Sequence, residues 1–402
     1  MKIAPALLEI WLRDYYFNTS IDLGCSGVEN FTYGELRRMT GLTEADLDGV
    51  LFCDSQSFGA PGLRAAIANR WAEGEADRVM VTHGSSEAMY LLMHALLKEG
   101  DEVIVVDPAY QPLFSIAESI GCQIKQWKLR FEQGFVPDVE EFKSLITPRT
   151  RMAIINFPHN PTGATLTREQ QADLISAVER VGAYLVWDGA FTNLVYDQPP
   201  LPDPALSYER AISLGTLSKA YGLPGLRVGW CVSSTEVLDR CVHLRDYITL
   251  YMSPLIEVIA RAAIENADRI LDMRLGQATV NLGVLRDWVA RHEDFVEWVQ
   301  PRGGVSAFPR FREVNDIEEF CHELARRYSV LLVPGTCFNH QGFARLGFGG
   351  STSELETGLS QVSALLKSRD YRRMAALGRA MSKTLGDSLI GEGESQRHEA
   401  IP

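Results

Sequence analysis

The sequence predicts an α/β protein: a large domain with a mostly parallel sheet covered by helices, then a smaller C-terminal α/β domain. Three features carry this. Short continuous apolar runs alternate with helical patterns from Gly59 to about Trp230, as βα repeats require. The runs are apolar on both faces, as buried parallel strands must be. After Trp230 the rhythm changes to a long helical stretch and then short strands between helices.

In chain order the predicted strands are RVMVTHG, EVIVVDPAY, RMAIINFP, AYLVWDGAF and AISLGT. PGLRAAIANRWAEG, SSEAMYLLMHALLKEG and LTREQQADLISAVERVG carry apolar residues at three and four spacing and are the covering helices. A helical stretch then runs from about Ser253 to Arg291, followed by VSAFPRF and ARLGFGG as strands and DIEEFCHELARRY and SELETGLSQVSALLKS as helices. We divide the chain into an N-terminal segment (1–40), a large domain (41–260), a small domain (261–370) and a terminal stretch (371–402) that begins helical and ends as a loose polar tail.

The chain has 402 residues, 46% hydrophobic and 23% charged, which excludes collagen-like, fibrous and disordered classes. A net charge of −13 makes it a poor partner for nucleic acid, though a local basic pocket for a small anion remains open. The cysteines at 25, 53, 122, 231, 241, 321 and 337 form no CxxC and no metal-ligand spacing, so we expect no metal and a reduced, cytoplasmic setting. Acidic Glu9 and Asp14 argue against a signal peptide at the N-terminus, and no apolar run is long enough to span a membrane.

Ligands of open α/β sheets bind beyond the carboxyl ends of the strands, so the residues after each run matter most. After RVMVT stands His83-Gly84-Ser85-Ser86-Glu87, either a plain helix N-cap or a phosphate cup. His83 itself is either a structural turn residue or a proton-transfer group. After AISLG stands Thr216-Leu217-Ser218-Lys219, with Arg227 eight residues beyond the lysine. An isolated Ser-Lys is usually surface, but a lysine following a buried strand can lose its proton and attack a carbonyl. Asp188 closes AYLVW as a helix cap or a partner for a buried cation. His159-Asn160-Pro161-Thr162-Gly163 reads first as a proline turn.

Together these turns resemble the class I/II aminotransferase superfamily of fold-type I pyridoxal phosphate (PLP) enzymes, with NPTG, TLSK and GLRVGW in order and spacing. The resemblance implies that Lys219 forms the Schiff base with PLP, Asp188 pairs with the pyridinium nitrogen, Asn160 bonds the ring 3-oxygen and Tyr110 stacks on the ring. It also implies that Gly84, Ser85, Ser86, Thr216, Ser218 and Arg227 hold the phosphate. Arg345, in ARLGF, matches the arginine that receives the substrate carboxylate, which implies an α-amino acid substrate. Two positions depart from the superfamily: Phe191 replaces a tyrosine that donates to the 3-oxygen, and Asp54 stands where the partner subunit often supplies a tyrosine to the phosphate.

A narrower resemblance rests on THGSSEAMYL, NFPHNPTGA, LVWDGAFTNLV, GTLSKAYGLPGLRVGWCV and RGGVSAFPRF, which look like the capreomycidine synthases and related enduracididine cyclases. It implies cyclodehydration of a β- or γ-hydroxylated L-arginine to a cyclic guanidino amino acid in natural-product biosynthesis, by a homodimer. Within it, Glu29 stands where a histidine is expected. The alternative is an aminotransferase acting on arginine or another L-amino acid, which needs the same cofactor residues. For the guanidinium, Glu9 is the first candidate, since N-terminal segments of the superfamily fold over the site mouth; its alternative is an exposed helix glutamate. Glu29 and Asn30 are further candidates, just past Gly27, the glycine that lies beside the substrate in relatives.

Overall fold

The computed structural model describes residues 3–312 and 314–368. Its centre is a seven-stranded sheet of β1 (Val79–Thr82), β2 (Glu102–Asp107), β3 (Gln123–Lys128), β4 (Thr150–Asn156), β5 (Tyr184–Asp188), β6 (Ala211–Thr216) and β7 (Gly229–Val232), in spatial order β1-β7-β6-β5-β4-β2-β3. All neighbours are parallel except β7, which runs antiparallel to β1 and β6. Alternate residues feed opposite faces: Ile154, Val186 and Leu214 pack on one side, Ile155, Leu185 and Trp187 on the other.

Strand β7, four buried residues inside the GLRVGWCV motif, was not among the predicted strands, and neither was β3. Strand β3 lies at the sheet edge, and Gln123, Gln126 and Lys128 face solvent, so it lacks the apolar run that marks its buried neighbours. The helical stretch after Ser253 also differs from expectation. It is two helices, Pro254–Glu265 and Ala267–Ala290, broken at Asn266 (φ −109°, ψ 20°). The Asn266 side chain donates to the Ala262 carbonyl at 2.9 Å, the kind of local bond by which asparagine competes with helical geometry.

The C-terminal part builds a three-stranded antiparallel sheet in which Ala344–Gly347 lies between Ser306–Ala307 and Val333–Pro334. The N-terminal segment is bound to this part. Ile21–Asp22 pairs in parallel with Val330–Leu331. Helix α1 (Leu7–Tyr15) buries Leu8 and Trp11, and the Trp11 indole donates to the Leu332 carbonyl at 2.8 Å. The terminal stretch expected to be a loose tail lies outside the described residues.

Candidate active site

Register sets the site. Asn156, Asp188 and Leu214 are aligned across β4, β5 and β6, while Thr82, Gly229 and Thr216 are aligned across β1, β7 and β6. The residues that follow these strands therefore converge on one sheet edge.

At one end of that edge, helix α2 (Gly84–Leu96) opens on Gly84, whose φ of +74° favours glycine. Space requires glycine as well: a Cβ there would lie 2.6 Å from Arg227 Nη2. A Cβ on Gly229 would meet the Ser85 nitrogen at 2.5 Å. Arg227 donates to Ser218 Oγ at 3.3 Å, and the Thr216 hydroxyl bonds Ser218 Oγ and the Val228 carbonyl, each at 3.1 Å. A guanidinium, two hydroxyls and the first amides of a helix thus face one small space, a donor set suited to a phosphate dianion; Ser86 lies in the same first turn.

The cup is braced from behind by residues the sequence reading did not single out. Glu87 accepts from the His83 amide at 2.5 Å and also from Thr249, and lies 3.5 Å from the fully buried Arg245. Burial alone would raise the Glu87 carboxyl, but these bonds and the Arg245 charge bring it down to about 2. Arg245 also donates to the carbonyls of Ser57 (2.6 Å) and Val81 (2.7 Å). His83 therefore belongs to the brace: its ring Nδ1 is 3.2 Å from Glu87.

At the centre stand Asp188 and Lys219. Burial pushes the Asp188 carboxyl up to about 6, against the opposing pull of the Ala190 amide (3.2 Å) and the Lys219 charge. Burial likewise lowers the Lys219 ammonium below its ordinary range, with Cys25, Glu9 and Asp188 pulling it back up. Lys219 Nζ donates to Ser26 Oγ at 3.1 Å. Asn156, also missed, donates to the Asp188 carbonyl at 2.9 Å and accepts from the Asn160 amide at 3.0 Å, joining the two turns.

On the substrate side, Arg345 is only 2% exposed. It donates twice to the Gly24 carbonyl (3.0 and 2.7 Å) and once to Asn160 Oδ1 (3.3 Å). Gly27 lies over the lysine, where a Cβ would come 3.3 Å from the Ser218 carbonyl. The Tyr110 hydroxyl donates to Glu9 Oε1 at 2.9 Å, and burial with the Glu9 charge raises the phenol well above its ordinary range. Gln111 fixes the approach of α1, accepting from the Leu7 amide (2.9 Å) and donating to the Pro5 carbonyl (2.8 Å).

Lys219, Asp188, Asn160, Tyr110, Arg345, Gly27 and Glu9 thus meet at one site. Glu29 and Asn30 do not join them there. They line a separate pocket with Phe31, Arg38 and Arg274, where Glu29 accepts from Gln277 Nε2 at 2.7 Å and lies 3.5 Å from Arg274. Phe191 is buried, and Asp54 accepts from Tyr251. Among the described residues no group of His, Cys, Asp and Glu is arranged to hold a metal ion, and no helix is long and apolar enough to cross a membrane.

The family model for aminotransferase class I and II matches residues 51–362. The chain belongs to this family. Within it, the chain is 44% identical to a capreomycidine synthase of Streptomyces vinaceus over 94% of its own length and 97% of that protein. It is 30% identical to the arginine–pyruvate transaminase AruH of Pseudomonas aeruginosa over 76% of its length and 81% of that protein. The crystal structure of the PLP-dependent cyclase OrfR superposes with a TM-score of 0.88 at 41% identity, covering 92% of this chain and 98% of that one. The fold is that of the fold-type I PLP enzymes, and the cofactor of this aminotransferase-family chain is pyridoxal 5′-phosphate.

The residues present fit that group. The cup at Gly84 and Arg227 is kept open by glycines whose side chains would fill it. A carboxylate and a desolvated lysine stand at the adjacent strand ends.

Proposed function

We propose that this aminotransferase-family protein is a PLP-dependent cyclase/dehydratase that converts a hydroxy-L-arginine, hydroxylated at the β- or γ-carbon, to a cyclic guanidino amino acid. The observation that carries the reading is the hydrogen bond between Tyr110 and Glu9, which holds a carboxylate at the site beside a lysine and a buried arginine. The whole-length likeness to a capreomycidine synthase supports the same chemistry.

When bound, PLP supplies an electron sink that makes the α-proton removable and a neighbouring hydroxyl expellable. The protein's residues do the rest. Gly84, Ser85, Ser86, Thr216, Ser218 and Arg227 would hold the phosphate. Asp188 would pair with the ring nitrogen, and Asn160 and Tyr110 would hold the ring. Arg345 receives the substrate carboxylate. Burial favours the uncharged form of Lys219 Nζ, which is placed to take the α-proton and to return one. A hydroxyl leaving from the β-carbon allows closure to a six-membered ring; one leaving from the γ-carbon requires loss of a β-proton first and gives a five-membered ring.

Arg345 holds the carboxylate end and Lys219 the amine end, so the guanidinium extends toward α1, and Glu9 is the carboxylate waiting there. Glu9→Gln is expected to bind PLP normally and cyclise about ten- to hundredfold more slowly, as loss of one charge-assisted contact implies. Turnover at the parent rate would remove Glu9 from recognition of the guanidinium. Mass spectrometry of the holoenzyme with each hydroxyarginine separately tests the function itself. Loss of one water supports the cyclase; an amino-group transfer that needs a 2-oxo acid supports an arginine aminotransferase instead.

We assign the protein a homodimeric state and a reduced, cytoplasmic setting. The first is supported by exposed Leu51, Phe52, Tyr247, Ile248 and Leu250, on two segments joined by the Asp54–Tyr251 hydrogen bond. The second is supported by seven cysteines that are all unpaired. Light scattering at micromolar concentration is expected to give twice the mass of one chain; the mass of one chain would refute the dimer.

A further inference from the structure

We infer that Ser26 is a positioning residue for Lys219, its hydroxyl fixing the free Nζ where that nitrogen exchanges protons with the substrate. The inference rests on Lys219 being the base of the proposed reaction. Ser26 is 4% exposed, and its Oγ lies 3.1 Å from Nζ. A lysine ammonium rides on a flexible four-carbon stem, so holding it in one place needs a partner at its tip.

The serine is itself held rigidly. Gly24 and Cys25 donate their amides to Asp22 Oδ1 at 2.8 and 2.9 Å, and the Gly24 carbonyl takes two bonds from Arg345. The Gly27 amide lies 3.2 Å from Cys25 Sγ, and the Val28 amide donates to the Lys219 carbonyl at 3.2 Å. The segment 24–28 therefore spans from the arginine that receives the carboxylate to the backbone of the lysine, with Ser26 Oγ between them. A shift of either end moves the hydroxyl, which ties the position of the base to that of the carboxylate anchor.

A hydroxyl suits this task better than a carboxylate. It accepts from the ammonium and donates to the amine, so it holds both protonation states that a proton carrier passes through. The charged and titratable groups facing Lys219 are Cys25, Asp22, Glu9, Asp188 and Arg345. They set its charge balance, while the recorded hydrogen bond of Nζ is to the neutral serine.

The test compares Ser26→Ala and Ser26→Thr with the parent. In cofactor-free protein, Lys219 is labelled with an amine-reactive reagent across pH and read by peptide mass spectrometry. The bond to the ammonium is charge-assisted and the stronger of the two, so its removal leaves burial less opposed: the labelling midpoint in Ser26→Ala is expected at lower pH, and Ser26→Thr restores it. In holoenzyme, Ser26→Ala is expected to keep the Schiff-base absorbance while exchange of the substrate α-hydrogen in heavy water slows about tenfold, the loss of one bond to a charged group. Should the alanine variant not fold, Ser26→Cys, which keeps the volume with a poor acceptor, takes its place. An unchanged midpoint together with an unchanged exchange rate overturns the inference. Exchange that survives in Lys219→Ala overturns the underlying assignment of the base instead. A shifted midpoint in an enzyme that loses no water from either hydroxyarginine leaves Ser26 in its role and removes the cyclase reading.

Discussion

Lys219→Ala is expected to abolish the Schiff-base absorbance and to cut water loss from hydroxyarginine by about ten-thousandfold, the upper range for removal of a positioned acid-base group. The size of the effect follows from what surrounds the nitrogen. Burial lowers the ammonium's affinity for its proton, which favours the uncharged amine relative to an exposed lysine. Of the neighbours that act on its charge, Arg345 is bonded to the Gly24 carbonyl, Asp188 ends a strand bonded to the Ala190 amide, and Glu9 is bonded to Tyr110. None of these is free to replace the lysine as base. The measurements are the absorbance spectrum of the variant reconstituted with PLP, borohydride trapping, and the rate of water loss. A variant that retains the absorbance, or that turns over within tenfold of the parent, would remove Lys219 from its role.

The two ends of the proposed substrate differ in how far sequence pattern points to their partners. Arg345 sits in the short apolar strand ARLG, 2% exposed, and the motif around it is what proposes it for the carboxylate. The proposed partner of the guanidinium end lies on α1, which is held between Gln111 and the Leu332 carbonyl. Glu9 was legible only through a resemblance, because in α1 alone it is one acidic residue in a first turn.

The same contrast runs through the fold. Strands β1, β2, β4, β5 and β6 are legible because both faces are buried and each carries a continuous apolar run; β7 is equally buried but only four residues long and opens on glycine, so its run does not stand out. Strand β3 is not legible, because one exposed edge lets glutamine and lysine enter it. The proposed cofactor residues are legible because most of them end a strand or follow one within four positions, while Arg227 stands two residues before β7. Ser26, Asn156 and Arg245 escape for the opposite reason: a serine, an asparagine and an arginine of ordinary local pattern acquire meaning from partners such as Lys219, Asp188 and Val81, most of them far away in the chain. Glu29 shows the converse. Adjacent in sequence to the loop over the lysine, it turns toward Gln277 and Arg274 once the chain folds.

Asp188→Asn is expected to lower turnover about a thousandfold while making the cofactor-free protein more stable above pH 6, an opposite pair of effects with one cause. In the folded chain burial raises the carboxyl from 3.8 to about 6, so between these values the native state holds a proton that the unfolded state has lost. Stability then falls as pH rises through that window, and above it the native chain carries the cost of a buried charge, at most about 3 kcal/mol for a shift of this size. Asparagine keeps the shape and an oxygen for the Ala190 amide but never becomes charged, so its melting temperature should match the parent's near pH 4 and exceed it at pH 7.5. Turnover moves the other way because a cationic ring nitrogen needs the charge that destabilises the empty site, and an amide cannot supply it. PLP should accordingly raise the melting temperature of the parent more than that of the variant. Melting curves of both proteins, with and without PLP at the two pH values, read all of this at once. Equal cofactor-free melting at both pH values would show that Asp188 carries no uncompensated charge, and equal turnover would show that the cofactor does not use it.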